Sequence, residues 1–128
     1  MNLRQEYPSK QLGRVKTIYY LVLDDDTCPA GDFMKDLECK DRPSHRKMVG
    51  RLKAHADNGP SRNTEHERPI KKYGVIEFKT PYRDRLIYFE HGNKTIVTHG
   101  FRTDHKKFQY DHQYQRGADL RDKYLGKG

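Results

Sequence analysis

Apolar residues occur in this chain as short runs and stripes set between long polar stretches, and their spacing predicts a mixture of strands and helices. The first run, residues 15–23 (VKTIYYLVL), is rich in β-branched and aromatic residues and is apolar on both faces from Ile18 onward. That is the pattern of a strand covered on both sides. Asp24, Asp25, Asp26 and Thr27 then lead into Cys28-Pro29. Carboxylates favour the positive end of a helix and proline is tolerated in its first turn, so a helix is expected here, capped by Asp26 or Thr27 and burying Phe33, Met34 and Leu37. Asp41-Arg42-Pro43 reads as a break and a second helix start. Met48, Val49, Leu52 and Ala56 line one face of that helix, and Asn58-Gly59-Pro60 closes it. Residues 60–69 are polar and bounded by prolines, which predicts a loop.

From Tyr73 the period changes from helical to alternating. Residues 74–79 place Ile76 and Phe78 on one face and Glu77 and Lys79 on the other. A turn at Thr80-Pro81-Tyr82 leads to a second strand over 83–90, and His91-Gly92-Asn93 to a third over 94–101. Turns this short make the three strands antiparallel. The polar tail carries Phe108, Tyr114, Ala118, Leu120 and Tyr124, a helical stripe weakened near Gly117. Residues 1–14 read as a loose basic arm, with one domain over 15–128. The expected fold is α+β: a twisted antiparallel sheet of about four strands, an N-terminal helical hairpin on one face, and a C-terminal helix.

Charge adds a partner to this picture. Lys and Arg total 26 against 18 Asp and Glu in 128 residues, a net charge of +8. A basic surface of this kind attracts polyanions, nucleic acid first. No apolar run is long enough to span a bilayer, and no long basic amphipathic helix is present to lie on one. Residues 1–14 lack an apolar signal core, so a cytoplasmic location is expected, with no membrane partner. Cys28 and Cys39 make no disulfide framework, and with the seven histidines they show no zinc-ligand spacing. The three consecutive aspartates read as a solvated helix start, not a metal cluster, because they alternate direction on extended chain.

The cations are concentrated. Arg68, Lys71, Lys72, Lys79, Arg83 and Arg85 face only Glu77 and Asp84 over 68–85, and His99, Arg102, His105, Lys106 and Lys107 follow. Interleaved with Tyr82, Tyr88, Phe108 and Tyr110, they suit phosphates held by cations while rings stack on bases. RNA cleavage without a metal needs a base for the 2′-hydroxyl, cations for the charge developing at phosphorus, and an acid for the leaving oxygen. His99, His105 and Tyr110 can move protons; Lys79, Arg85, Arg102, Lys106 and Lys107 can stabilise charge.

The run Glu77-Phe78-Lys79, then Arg85-Leu86-Ile87-Tyr88, then His99-Gly100-Phe101 with basic residues after it, resembles the RelE/ParE toxin superfamily, most of all its phage-related HigB-like branch. Pro29-Ala30-Gly31-Asp32-Phe33 resembles the start of that branch's first helix. The resemblance implies a RelE-like fold and the toxin of a type II toxin–antitoxin system. It implies a ribosome-dependent mRNA endonuclease, or mRNA interferase, that inhibits translation without a cofactor and is neutralised by a helix-turn-helix antitoxin. RNA is expected across the sheet face opposite the helical hairpin. By position it implies catalytic roles for Arg85, Lys79, Arg102, His105, Lys106 and Tyr110, and RNA contacts from Lys71, Lys72, Arg83, His99 and Lys107. Lys79 stands where an arginine is usual and Asp84 replaces a tyrosine. His105 is expected to outrank His99 and Tyr110 in proton transfer, because it lies beyond the strand where substrate can reach it. A ParE-like gyrase inhibitor and a non-catalytic RNA- or ribosome-binding module are the alternatives.

Overall fold

The computed structural model describes residues 1–8, 16–104 and 110–126. Its elements are β1 (Asn2–Tyr7), β2 (Thr17–Val22), α1 (Pro29–Lys40), α2 (Arg42–Asn58), β3 (Glu67–Ile70), β4 (Val75–Lys79), β5 (Asp84–His91), β6 (Lys94–Arg102) and α3 (Asp111–Tyr124). The strands form one sheet in the order β1-β2-β6-β5-β4-β3.

This corrects the expected four-stranded antiparallel sheet with an N-terminal helical hairpin and a C-terminal helix. The sheet has six strands and is mixed, because β2 runs parallel to β6, with Tyr19 opposite Ile96. A parallel pair needs a long crossover, and here α1, α2 and the β3–β5 meander supply it. Both edge strands lie outside the expected elements. Asn2–Tyr7, placed in the loose arm, pairs antiparallel with β2, and Glu67–Ile70, placed in a loop, pairs with β4. Pro69 is tolerated because an edge strand has one side free of ladder bonds.

Two strands precede the helices, and α1 and α2 join through a single residue. Asp41 is the C-cap of α1 and the N-cap of α2, where its carboxylate accepts from the Ser44 amide. At α1 the N-cap is Cys28, without a side-chain cap bond, and Asp25 instead accepts from the Thr27 amide and hydroxyl.

The sheet separates two layers. On one face Met34, Leu37, Met48, Leu52 and Ala56 pack on Ile18, Tyr20, Phe78, Leu86, Tyr88 and Val97. Each such side chain contributes roughly 1.5–3 kcal/mol when fully buried. On the opposite face α3 covers the sheet: Tyr114 and Ala118 pack with Val75, Ile87 and Phe101, and Leu120 and Tyr124 join Leu21, Phe89 and Ile96. The face expected to hold RNA is therefore largely occupied by α3. Among the described residues no helix is long and apolar enough to cross a membrane.

Candidate nucleic-acid interface

Strand parity places Glu77 and Lys79 of β4, Arg85 of β5, and His99 and Phe101 of β6 on the α3 side of the sheet. Lys79 pairs with Arg85 across the β4–β5 ladder, and Arg85 with Phe101 across β5–β6. Two cations thus stand side by side at the end of the sheet where α3 begins.

Glu77 organises the cluster. It is buried, lies 3.1 Å from Arg68 and 3.8 Å from Arg85, and accepts the Tyr114 hydroxyl at 2.8 Å. Arg68 also donates to the Tyr114 oxygen at 3.1 Å. Burial, then the Glu77 charge, pushes the Tyr114 phenol up to about 12, so it keeps its proton. The two arginines share one carboxylate, which leaves positive charge at the site. Arg85 also donates through one terminal nitrogen to the carbonyls of Thr80 and Asp84, at 3.1 and 2.8 Å, and its side chain is only 15% exposed. Lys79 approaches Glu65 at 3.9 Å. The arrangement can hold a phosphate by fixed guanidinium and ammonium groups.

Tyr110 closes the other side of the site. Its ring lies 5.4 Å from that of Phe101, and its hydroxyl accepts from the Asp104 amide at 2.7 Å and donates to the Asp104 carbonyl at 2.8 Å. The residues flanking 105–109 are therefore tied together beside Phe101, the ladder partner of Arg85. His105, Lys106 and Lys107 lie outside the described residues.

Other expected site residues fall elsewhere. His99 is fully buried; its Nδ1 is 2.8 Å from the Thr98 hydroxyl, and Gln113 of α3 approaches without an aligned hydrogen bond to Nε2. Burial, followed by the charge of Arg116, pushes the imidazole down to about 4, so it is neutral and has no exposed surface from which to meet RNA. Arg102 is tied to Asp84, Asp41 and the Tyr82 carbonyl. Lys71 and Lys72 are exposed in the β3–β4 turn, at the far end of β4 from Lys79. Arg83 is exposed in the β4–β5 turn with φ of 72°. Arg68, Glu77 and Tyr114 act as a unit that sequence reasoning missed; the one available signal is the strand parity that groups Glu77 with Lys79.

A second polar cluster lies on the α1–α2 side. The Thr95 hydroxyl is 2.7 Å from His55 Nε2, His55 Nδ1 is 2.8 Å from Glu67, and the Tyr88 hydroxyl donates to Glu67 at 2.6 Å. The first three have the connectivity of a nucleophile, base and orienting carboxylate. Thr95 is fully enclosed, however, and a pocket of about 220 Å³ beside the cluster is lined by His55 and Glu67 but not by Thr95. No substrate carbonyl or phosphate can reach the hydroxyl, so the network is a satisfied core. Among the described residues no group of three or more His, Cys, Asp or Glu side chains could hold a metal ion.

Compared with family models, curated proteins and solved structures, the chain matches none. The resemblance to the RelE/ParE superfamily rests on the motifs alone.

Proposed function

We propose that this chain is a toxin endoribonuclease that cleaves mRNA on the ribosome, and that a helix-turn-helix antitoxin neutralises it. The observation carrying this reading is the pairing of Lys79 with Arg85 at the end of the sheet, next to the tied residues that flank 105–109. The scissile phosphate sits at that end, not across the sheet face that α3 occupies. Arg85, backed by Glu77, and Lys79 stabilise the charge that develops on the phosphoryl oxygens. The 2′-hydroxyl attacks phosphorus, the bond to the 5′-oxygen breaks, and a 2′,3′-cyclic phosphate remains. His105 takes or gives the proton. Tyr110, whose hydroxyl is bonded to the Asp104 backbone, ties together the two residues that flank 105–109.

The test is induced expression with transcript-wide mapping of 5′ ends, for the wild type and for Arg85→Lys. Lysine keeps the charge but loses the planar fork. New 5′ ends inside translated frames, lost in Arg85→Lys, are expected. Growth arrest with gyrase-linked DNA breaks and no new RNA ends would instead support the gyrase-inhibitor reading.

A further inference from the structure

On the outer side of α2 a groove of about 360 Å³ is lined by Pro43, Arg46, Lys47, Gly50, Arg51 and Tyr82. We propose that it holds a single-stranded RNA segment flanking the cleavage site, with one base stacked on Tyr82 and phosphates on the α2 cations. This deepens the nuclease reading and rests on it.

Four features converge. Tyr82 is the one large apolar side chain among the described residues that stands exposed, at 45%. Its turn is pinned: the Tyr82 amide donates to the Thr80 hydroxyl, the Tyr82 carbonyl accepts from Arg102, and the Arg83 carbonyl accepts from the Thr103 amide. The adjacent Arg83 has φ of 72°, a left-handed conformation that is costly for a residue with a side chain and tends to cluster at functional sites. A solvent-facing ring on a pinned turn is what base stacking uses.

Gly50 is the second feature. A glycine inside a helix weakens it relative to alanine, and such a residue usually answers a close approach. None exists among the described residues, because a Cβ built at Gly50 meets nothing within 4 Å there. The space it leaves is the groove itself. Third, Arg46, Lys47 and Arg51 line the groove with no carboxylate among its walls. Lys47 and Arg51 lie one helical turn apart, where like charges repel, and an anion between them relieves that repulsion. Fourth, the groove lies beside the end of β4 that carries Lys79, because Arg51 Nε donates to the Lys79 carbonyl at 3.0 Å.

The experiment uses a short fluorescein-labelled oligouridylate with 2′-O-methyl groups, which cannot be cleaved, and the full chain. Tyr82→Leu should weaken binding by about five- to a hundredfold, the range for one stacked base. Gly50→Gln should melt at higher temperature than wild type, because glutamine favours a helix over glycine, and yet bind several-fold more weakly because it fills the groove. The chain has no tryptophan, so Tyr82→Trp supplies a single indole whose emission should be quenched by the same oligonucleotide. Wild-type affinity in both Tyr82→Leu and Gly50→Gln, with loss only in Arg85→Lys, would overturn the groove and leave the nuclease reading standing. A wild-type protein that fails to bind the oligonucleotide would overturn the groove proposal, and 5′-end mapping then decides the nuclease reading separately.

Discussion

Arg102 and Asp84 are partners across the β5–β6 ladder, with Arg102 Nε 2.8 Å from Asp84 Oδ1. Asp84 is fully buried, while the arginine side chain is 42% exposed and also reaches Asp41 at the start of α2. The guanidinium thus joins the end of the sheet, the α2 cap and the β4–β5 turn, which is a structural assignment for a residue first expected to take part in cleavage.

Arg102→Ala should destabilise the fold. Removing one partner of a buried pair leaves an uncompensated charge, and allowing for the solvent that reaches Arg102, the cost is about 1–3 kcal/mol. Burial raises the Asp84 pKa, with Arg102 opposing it. Without Arg102 the shift grows, and protonation then removes the unpaired charge. The deficit measured by urea denaturation should shrink as pH falls through the carboxylate range. A deficit that is the same at every pH would show that packing, not charge, is what Arg102 supplies.

Gly117→Ala tests how closely α3 rests on the sheet. A Cβ at Gly117 would lie 2.6 Å from Ile87 Cγ2. Alanine is the better helix former by ~1 kcal/mol, but overpacking costs about 1–3 kcal/mol. A lower melting temperature is expected, whereas a rise would mean that α3 can lift from β5 without loss.

Gly117 also shows where the sequence stops being readable. From sequence it marks a weak point in a helix; in the fold it is the contact that lets α3 reach β5. The two helix starts were legible because Pro29 and Asp41 act locally, through a fixed φ and a side-chain cap. The β5 and β6 pairing was legible because a short turn joins two apolar runs. The edge strands were not, since Arg4, Glu6 and Pro69 are compatible with a strand only where one side faces away from the sheet. The parallel pairing of β2 with β6 depends on partners far apart in the chain. The Glu77–Tyr114 bond spans 37 residues for the same reason, so the cations at the site could be read from sequence and the groups that fix them could not.

Tyr88→Phe examines the second polar cluster. The Tyr88 hydroxyl donates to buried Glu67 at 2.6 Å, and a hydrogen bond to a charged group contributes about 1.5–3 kcal/mol. A loss of that size in the unfolding free energy is expected, with the proposed cleavage by the folded protein unchanged. Loss of cleavage without loss of stability would give the Thr95–His55–Glu67 chain a chemical role that its enclosure argues against.

His99 should govern part of the response to acid. It is fully buried, bonded through Nδ1 to Thr98, and faced across α3 by Gln113, Arg116 and His112. Its pKa falls from 6.5 to about 4, through burial first and the Arg116 charge second. Below pH 6.5 the unfolded chain binds a proton that the folded chain refuses, so the stability held above that pH is lost as pH drops towards 4. The full shift corresponds to about 3 kcal/mol. His99→Gln removes the titrating group and keeps a polar side chain of similar reach. It is expected to cost stability at neutral pH, where the packed imidazole is lost, and to lose less than wild type on acidification. The measurement is the urea midpoint of both proteins at neutral pH and at the acid end of this window. If their midpoints fall in parallel, His99 is not the group that senses acid, and the exposed histidines or the carboxylates carry the effect instead.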